Sequence, residues 1–180
     1  MHSDRTAIRP PLTHLSDEEL MFRDAVASFA DEAVRPRVKE MEAAGELDKA
    51  LVNGCFELGL MGIEVPESFG GAGGSLFMVA LAVEEISKVD ASAAILVDVQ
   101  NTLVNYPICQ YGSESLKASY LPRLTAGTVG AYALSESGSG SDAFGLSTHA
   151  QRCDDGWVLN GQKMWITNGA EADVYVVFAN

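Results

Sequence analysis

The sequence predicts an α+β protein: an all-helical N-terminal half followed by an incomplete antiparallel β-domain. Three observations carry this. Apolar residues recur at helical spacing before Gly127. Short runs of β-formers replace them afterwards. Asp154-Asp155-Gly156 and Asn160-Gly161, two hairpin-type turns, punctuate those runs.

Ser16-Asp17-Glu18-Glu19 has the spacing of a capping box, so a helix begins there. Phe22, Val26, Phe29 and Ala33 then give it one buried stripe, and Pro36 is expected to kink or end it. A second helix is expected from Asp48 to Leu58, with Gly59 as the left-handed residue beyond it. Met61 to Gly74 reads as a loop, and Gly70-Gly71-Ala72-Gly73-Gly74 within it as a flexible one, with the border of a substrate entrance as the alternative. Ser75 caps a third helix in which Val79, Val83 and Ile86 share a face. Ala91 to Val104 is apolar nearly all round, as a central buried helix would be, and Pro107 closes it. A short helix over Glu114 to Tyr120 ends at Pro122. Strands are expected at Val129–Leu134, Ser147–Arg152, Trp157–Leu159, Lys163–Thr167 and Val174–Ala179. The divisions are therefore 1–14, a flexible N-terminus; 15–127, the helical domain; and 128–180, the β-domain.

Composition narrows the function classes. The 180 residues are 47% hydrophobic and carry a net charge of −13, which supports a packed core and argues against nucleic-acid binding. No apolar run reaches the length of a transmembrane segment. Cys55, Cys109 and Cys153 are odd in number and far apart, as expected for reduced, mostly buried thiols. His2, His14 and His149 show no metal-ligand spacing, and no metal is expected. Asn180 directly follows an apolar strand run. So few strands leave an apolar face without cover, and the chain is expected to be a piece of something longer.

Two segments carry the chemistry. Tyr132 to Asp142 runs from an apolar strand into a loop of Gly and Ser. Small residues let a backbone approach a ligand, and Ser135, Ser139 and Ser141 add hydroxyls. Gly138-Ser139-Gly140-Ser141-Asp142-Ala143 fits the dinucleotide fingerprint, yet no helix pattern follows, so the Rossmann reading fails. The second segment is Lys163-Met164-Trp165-Ile166-Thr167-Asn168. Read as a strand, it places Trp165 and Thr167 on one face, opposite Ile166. A mid-strand Trp is ordinarily core; beside a hydroxyl it also suits a planar ring.

Tyr132 to Asp142 resembles the signature of the acyl-CoA dehydrogenase family. Asn160 to Asn168 is similar to that family's second motif, and Leu60-Met61-Gly62-Ile63, Gly70-Gly71 and Tyr120-Leu121-Pro122 also match. Lys88-Val89-Asp90-Ala91-Ser92 and Gln100-Asn101-Thr102-Leu103 look most like the short/branched-chain branch. The resemblance spans Leu15 to Asn180 and implies a flavoenzyme with helical, β and C-terminal four-helix domains. It implies FAD as cofactor, bound by Tyr132, Leu134, Ser135, Gly140, Ser141, Trp165, Ile166 and Thr167. Ser141 would also meet the substrate. The implied reaction is α,β-dehydrogenation of a short or branched-chain acyl-CoA, with electrons passed to electron-transferring flavoprotein. A homotetramer is implied for the whole protein, in the mitochondrial matrix of a eukaryote or the cytoplasm of a bacterium.

Ser137 and Ser139 depart from the family's usual Pro or Ala, but both stay small. The family's catalytic Glu belongs to the C-terminal helices, so no catalytic residue is assigned in this chain. The polypeptide alone is expected to be inactive and to hold FAD weakly or not at all. Two alternatives are a non-catalytic flavin- or CoA-binding or interaction module, and a different acyl-CoA dehydrogenase or an oxidase of related fold.

Overall fold

A computed structural model describes residues 14–180. The flexible terminus expected over 1–14 lies, apart from His14, outside the described residues. The chain is helical up to Ala126 and stranded from Gly130, so the α+β order holds.

Helix α1 spans Asp17–Phe29 and opens on the expected capping box. The Ser16 N–H donates to Glu19 Oε2 at 2.7 Å, and the Glu19 N–H donates to Ser16 Oγ at 3.2 Å. Pro36 does not end the helical path. A π-turn over Ala30–Val34 and a 3₁₀ turn over Arg35–Arg37 absorb its missing N–H, and α2 continues over Val38–Ala44. Gly45 stops it in the left-handed region at φ 72°. Helix α3, Lys49–Glu57, is capped by Asp48 and followed by Gly59 at φ 75°.

The glycine-rich stretch is an ordered loop rather than a flexible one. The N–H groups of Ala72, Gly73 and Gly74 donate to the carbonyls of Gly62, Val65 and Ile63. A Cβ on Gly71 would lie 2.1 Å from the Val65 carbonyl oxygen, so the loop's closure requires glycine there.

Helices α4, Leu76–Ser87, and α5, Ala91–Asp98, pack against each other, and α4 also covers α1. Val26, Leu51, Leu60, Met61, Ile63, Ile86 and Leu96 form the fully buried centre. After α5 the path widens into a π-turn over Val99–Asn105, then tightens into α6, Tyr106–Tyr111. Pro107 therefore sits in the first turn of α6, where no N–H is needed, instead of closing a helix. Helix α7 runs through Pro122 to Ala126, six residues past the expected end, and Gly127 terminates it.

The π-turn carries three buried amides. Asn101 Oδ1 accepts from the Ile63 N–H at 2.8 Å, while its Nδ2 donates to the carbonyls of Leu60 and Val97. Asn105 Nδ2 donates to the Met61 carbonyl. Gln100 bonds the end of α7 and the first strand. A run that is apolar nearly all round thus hides the polar groups that fasten its neighbours.

Four strands follow: β1, Gly130–Ala133; β2, His149–Cys153; β3, Gly156–Asn160; and β4, Val174–Val177. β2 and β3 form the expected antiparallel hairpin, with His149 opposite Asn160. β1 and β4 pair in parallel, Gly130 opposite Val174, because a long crossover over 134–173 returns the chain in the same direction. Lys163–Thr167 is not a strand. Trp165 has φ 59° and Asn168 φ 60°, which break any extended ladder, so the alternation argument for that segment fails. Val174 and Val176 of β4 pack on Val99, Val104 and Leu124, joining the sheet to the helices. The hairpin is exposed along its length, Trp157 to 65%. No described helix is long and apolar enough to cross a membrane.

Candidate functional site

A cleft of about 240 Å³ lies where the π-turn meets the end of β1. It is lined by Val99, Leu103, Tyr132, Leu134, Ser135, Trp165, Ile166 and Thr167. Six of the eight expected cofactor residues therefore meet around one space, although the motifs that carry them are 30 residues apart in sequence. Gly140 and Ser141 are not among the lining residues. They lie on an exposed loop farther out, and a Cβ on Gly138 or Gly140 would meet nothing within 4 Å. Among the described residues no neighbour demands glycine at either position.

Each wall has its own origin. Tyr132 belongs to β1, where Phe178 holds its ring, centroids 5.0 Å apart. Leu134 and Ser135 continue that strand without a ladder partner. Trp165 is 87% exposed, the opposite of a core tryptophan, and its left-handed backbone throws the indole outward. Thr167 joins it on the cleft not by strand alternation but because the chain turns there. Asn168 Nδ2 anchors that turn to the Gly130 carbonyl at 3.1 Å. Among the described residues, neither the Ser135 nor the Thr167 hydroxyl has a hydrogen-bond partner within the protein. Val99 and Leu103 complete the cleft from the helical half. Their i, i+4 spacing inside the all-apolar run was the available sign that one face of it looks away from the core.

Behind the walls lies a buried ion pair that the motif reading passed over. Lys163 Nζ is 2.7 Å from Glu136 Oε1, with side chains 12% and 3% exposed. Glu136 also accepts from the Ser147 N–H at 2.7 Å, the Ser147 hydroxyl at 2.5 Å and the Thr148 N–H at 3.1 Å. Lys163, with help from Ser147 and Thr148, holds this carboxyl well below the usual carboxylate range. The signal was present as the one cation of the second motif, Lys163, and an acid of the first, Glu136. None of the residues lining the cleft is a carboxylate.

The thiols differ from one another. Cys55 is buried, Cys109 half-buried and Cys153 exposed, so the expectation of mostly buried thiols holds for Cys55 alone. Burial pushes the Cys55 thiol up to about 12.

Comparison with known proteins agrees with both halves. Residues 16–128 match the acyl-CoA dehydrogenase N-terminal domain, and residues 131–180 match the acyl-CoA dehydrogenase middle domain. The chain is 51% identical over 171 residues to the probable short/branched chain specific acyl-CoA dehydrogenase of Dictyostelium discoideum, covering 94% of this chain and 41% of that protein. It is 44% identical to the mitochondrial short/branched chain specific acyl-CoA dehydrogenase of Bos taurus, covering 94% and 39%. The chain thus spans about two fifths of the length of these curated relatives. A chain in the structure of the electron transferring flavoprotein of Acidaminococcus fermentans superposes with a TM-score of 0.88 at 40% identity, covering 92% of this chain and 44% of that one. The acyl-CoA dehydrogenase of Bacillus anthracis, solved complexed with FAD, gives 0.84 at 39% identity, covering 93% and 29%.

Proposed function

The chain belongs to the acyl-CoA dehydrogenase family, an oxidoreductase family, and from that premise we propose that its cleft is one wall of an FAD and acyl-CoA site. The observation that carries the reading is the convergence of Tyr132, Leu134, Ser135, Trp165, Ile166 and Thr167 on one space. The residues fit the group. An exposed indole offers a flat face, apolar side chains form a dry floor, and two unpartnered hydroxyls offer a polar edge to a heteroaromatic ring. Gly140 and Ser141 would act farther out, where open backbone suits a phosphate or CoA chain.

The substrate is a short or branched-chain acyl-CoA, a reading supported by the two curated relatives. Bound here, FAD supplies the acceptor for the two electrons of α,β-dehydrogenation. Trp165 and Ile166 would hold the faces of the ring, Thr167 and Ser135 would bond its polar edge, and Tyr132 and Leu134 would keep water away. Electrons leave to electron-transferring flavoprotein. Residues 15–127 form the helical domain and 128–180 the cofactor-binding part of the β-domain. The whole protein is a homotetramer, of the mitochondrial matrix if eukaryotic and of the cytoplasm if bacterial. Among the described residues none takes the α-proton, because no carboxylate lines the cleft and Glu136 is held behind it.

FAD titrated into Trp157→Phe protein tests the reading, since Trp165 is then the remaining tryptophan. Weak, saturable quenching is expected, lost in Thr167→Ala with Ser135→Ala. Saturable quenching that survives Thr167→Ala with Ser135→Ala overturns the flavin reading of this cleft. Turnover of butyryl-CoA or 2-methylbutyryl-CoA with an artificial acceptor overturns the assignment of no base. A stand-alone interaction module is the second reading. The exposed Phe144, Trp157 and Phe178 favour it, and it predicts no response to FAD.

A further inference from the structure

We propose that Glu136 and Lys163 form a latch that positions the two walls of the cleft against each other, an inference that rests on reading the cleft as a flavin site. One wall, Tyr132–Ser135, grows from β1. The other, Trp165–Thr167, lies in an irregular segment with no strand partner to set its register. Three bonds join them. Lys163 Nζ donates to the Leu134 carbonyl at 3.0 Å and to Glu136 Oε1 at 2.7 Å, and the Met164 N–H donates to the Ser135 carbonyl at 2.9 Å.

Glu136 is fixed independently. Its backbone closes a tight turn, exchanging N–H and carbonyl bonds with Ser139. Its carboxylate receives Ser147 and Thr148 from the lead-in to β2. One carboxylate therefore ties together the loop after β1, the approach to β2 and the residue two before Trp165.

Stability alone is a poor reason for this pair. Desolvating two charges offsets most of their attraction, and apolar side chains of similar volume hold a core as well or better. What the pair adds is direction, since each charge accepts partners at few positions and is left uncompensated elsewhere. Neither side chain lines the cleft, so both are positioning residues. Lys163 sets the Leu134 carbonyl and Met164, which set the approach of Ser135 and Trp165. The strained backbone at Trp165 needs such outside support.

Amide hydrogen exchange on the 180-residue protein tests the latch without flavin. In the wild type, the Ser147, Thr148 and Met164 amides are expected to open as one unit with a common protection factor. Glu136→Gln and Lys163→Met are expected to lower that protection about tenfold or more while β1 and the helices keep theirs, and Lys163→Arg to restore it. FAD affinity, read by Trp165 quenching in the Trp157→Phe protein at a temperature where the variant is fully folded, should weaken about tenfold in Glu136→Gln. Independent opening of Met164 in the wild type overturns the latch, even if a variant fails to fold. So does unchanged protection in the variants, or an equal loss throughout the chain. FAD quenching that Thr167→Ala with Ser135→Ala leaves intact refutes the flavin reading, and the exchange result still decides whether the pair orders the walls.

Discussion

Gln100 Oε1 accepts the N–H of Gly130 at 2.9 Å, so one buried side chain joins the π-turn of the helical half to the first residue of the first strand. The same amide donates through Nε2 to the carbonyls of Leu124 and Thr128, at 2.8 and 3.0 Å. The start of β1, the end of α7 and the floor of the cleft are thereby set relative to one another.

Gln100→Leu keeps the volume but strands a buried N–H and two carbonyls. A loss of about 3 kcal/mol is expected, from the desolvation penalty of unpaired groups. Urea unfolding followed by circular dichroism measures it. A loss below about 0.5 kcal/mol would show that water replaces the amide there.

Gly71 and Gly140 are expected to respond oppositely to alanine. A Cβ at Gly71 meets the Val65 carbonyl oxygen at 2.1 Å, so Gly71→Ala should destabilise by about 1–3 kcal/mol. Gly140 has nothing within 4 Å, so Gly140→Ala should stay within about 0.5 kcal/mol of wild type. Thermal melts of the two variants decide. Instability in Gly140→Ala would mean that the loop is packed for the protein's own sake, not open for a ligand.

Acid should expose the Glu136 ion pair. Its folded pKa lies below the ordinary value of 4.5, so its contribution is fully present above that pH and is lost as pH falls below it. The stability difference between wild type and Glu136→Gln should therefore shrink from about pH 6 to about pH 3. Urea titrations across that range measure it, and a difference that stays constant would place the carboxyl outside the network.

A thiol reagent at mildly alkaline pH should separate the cysteines. Cys153, exposed on β2, is expected to react first and Cys109 more slowly. Cys55, raised to about 12 by burial, should react only as the chain unfolds. Mass spectrometry over time gives the order, and early labelling of Cys55 would contradict the tight helical core.

Much of this was legible in local sequence because it depends on local chemistry. The Ser16–Glu19 box, the Ser75 cap and the left-handed Gly59 are settled within one turn of chain, and each stands where its spacing indicated. The prolines misled for a related reason. Pro36, Pro107 and Pro122 end helices by propensity, yet each lies within a continuing helical path: Pro107 in a first turn that needs no N–H, the other two because packing outweighs one missing bond. Four of the five expected strands are present. The fifth, Lys163–Thr167, has β-forming residues but no partner, and unpaired propensity does not make a strand.

By itself, then, the sequence determined the α+β order, the helix starts, the hairpin and the two motifs, all from periodicity, caps and turns. Only the tertiary structure decided that β1 and β4 run parallel, that Trp165 turns outward, and that Val99 and Leu103 close the cleft. It also decided that Glu136 reaches Lys163. The reason is physical: these are contacts between residues far apart in the chain. Such contacts depend on which buried polar groups find partners, which no local pattern records.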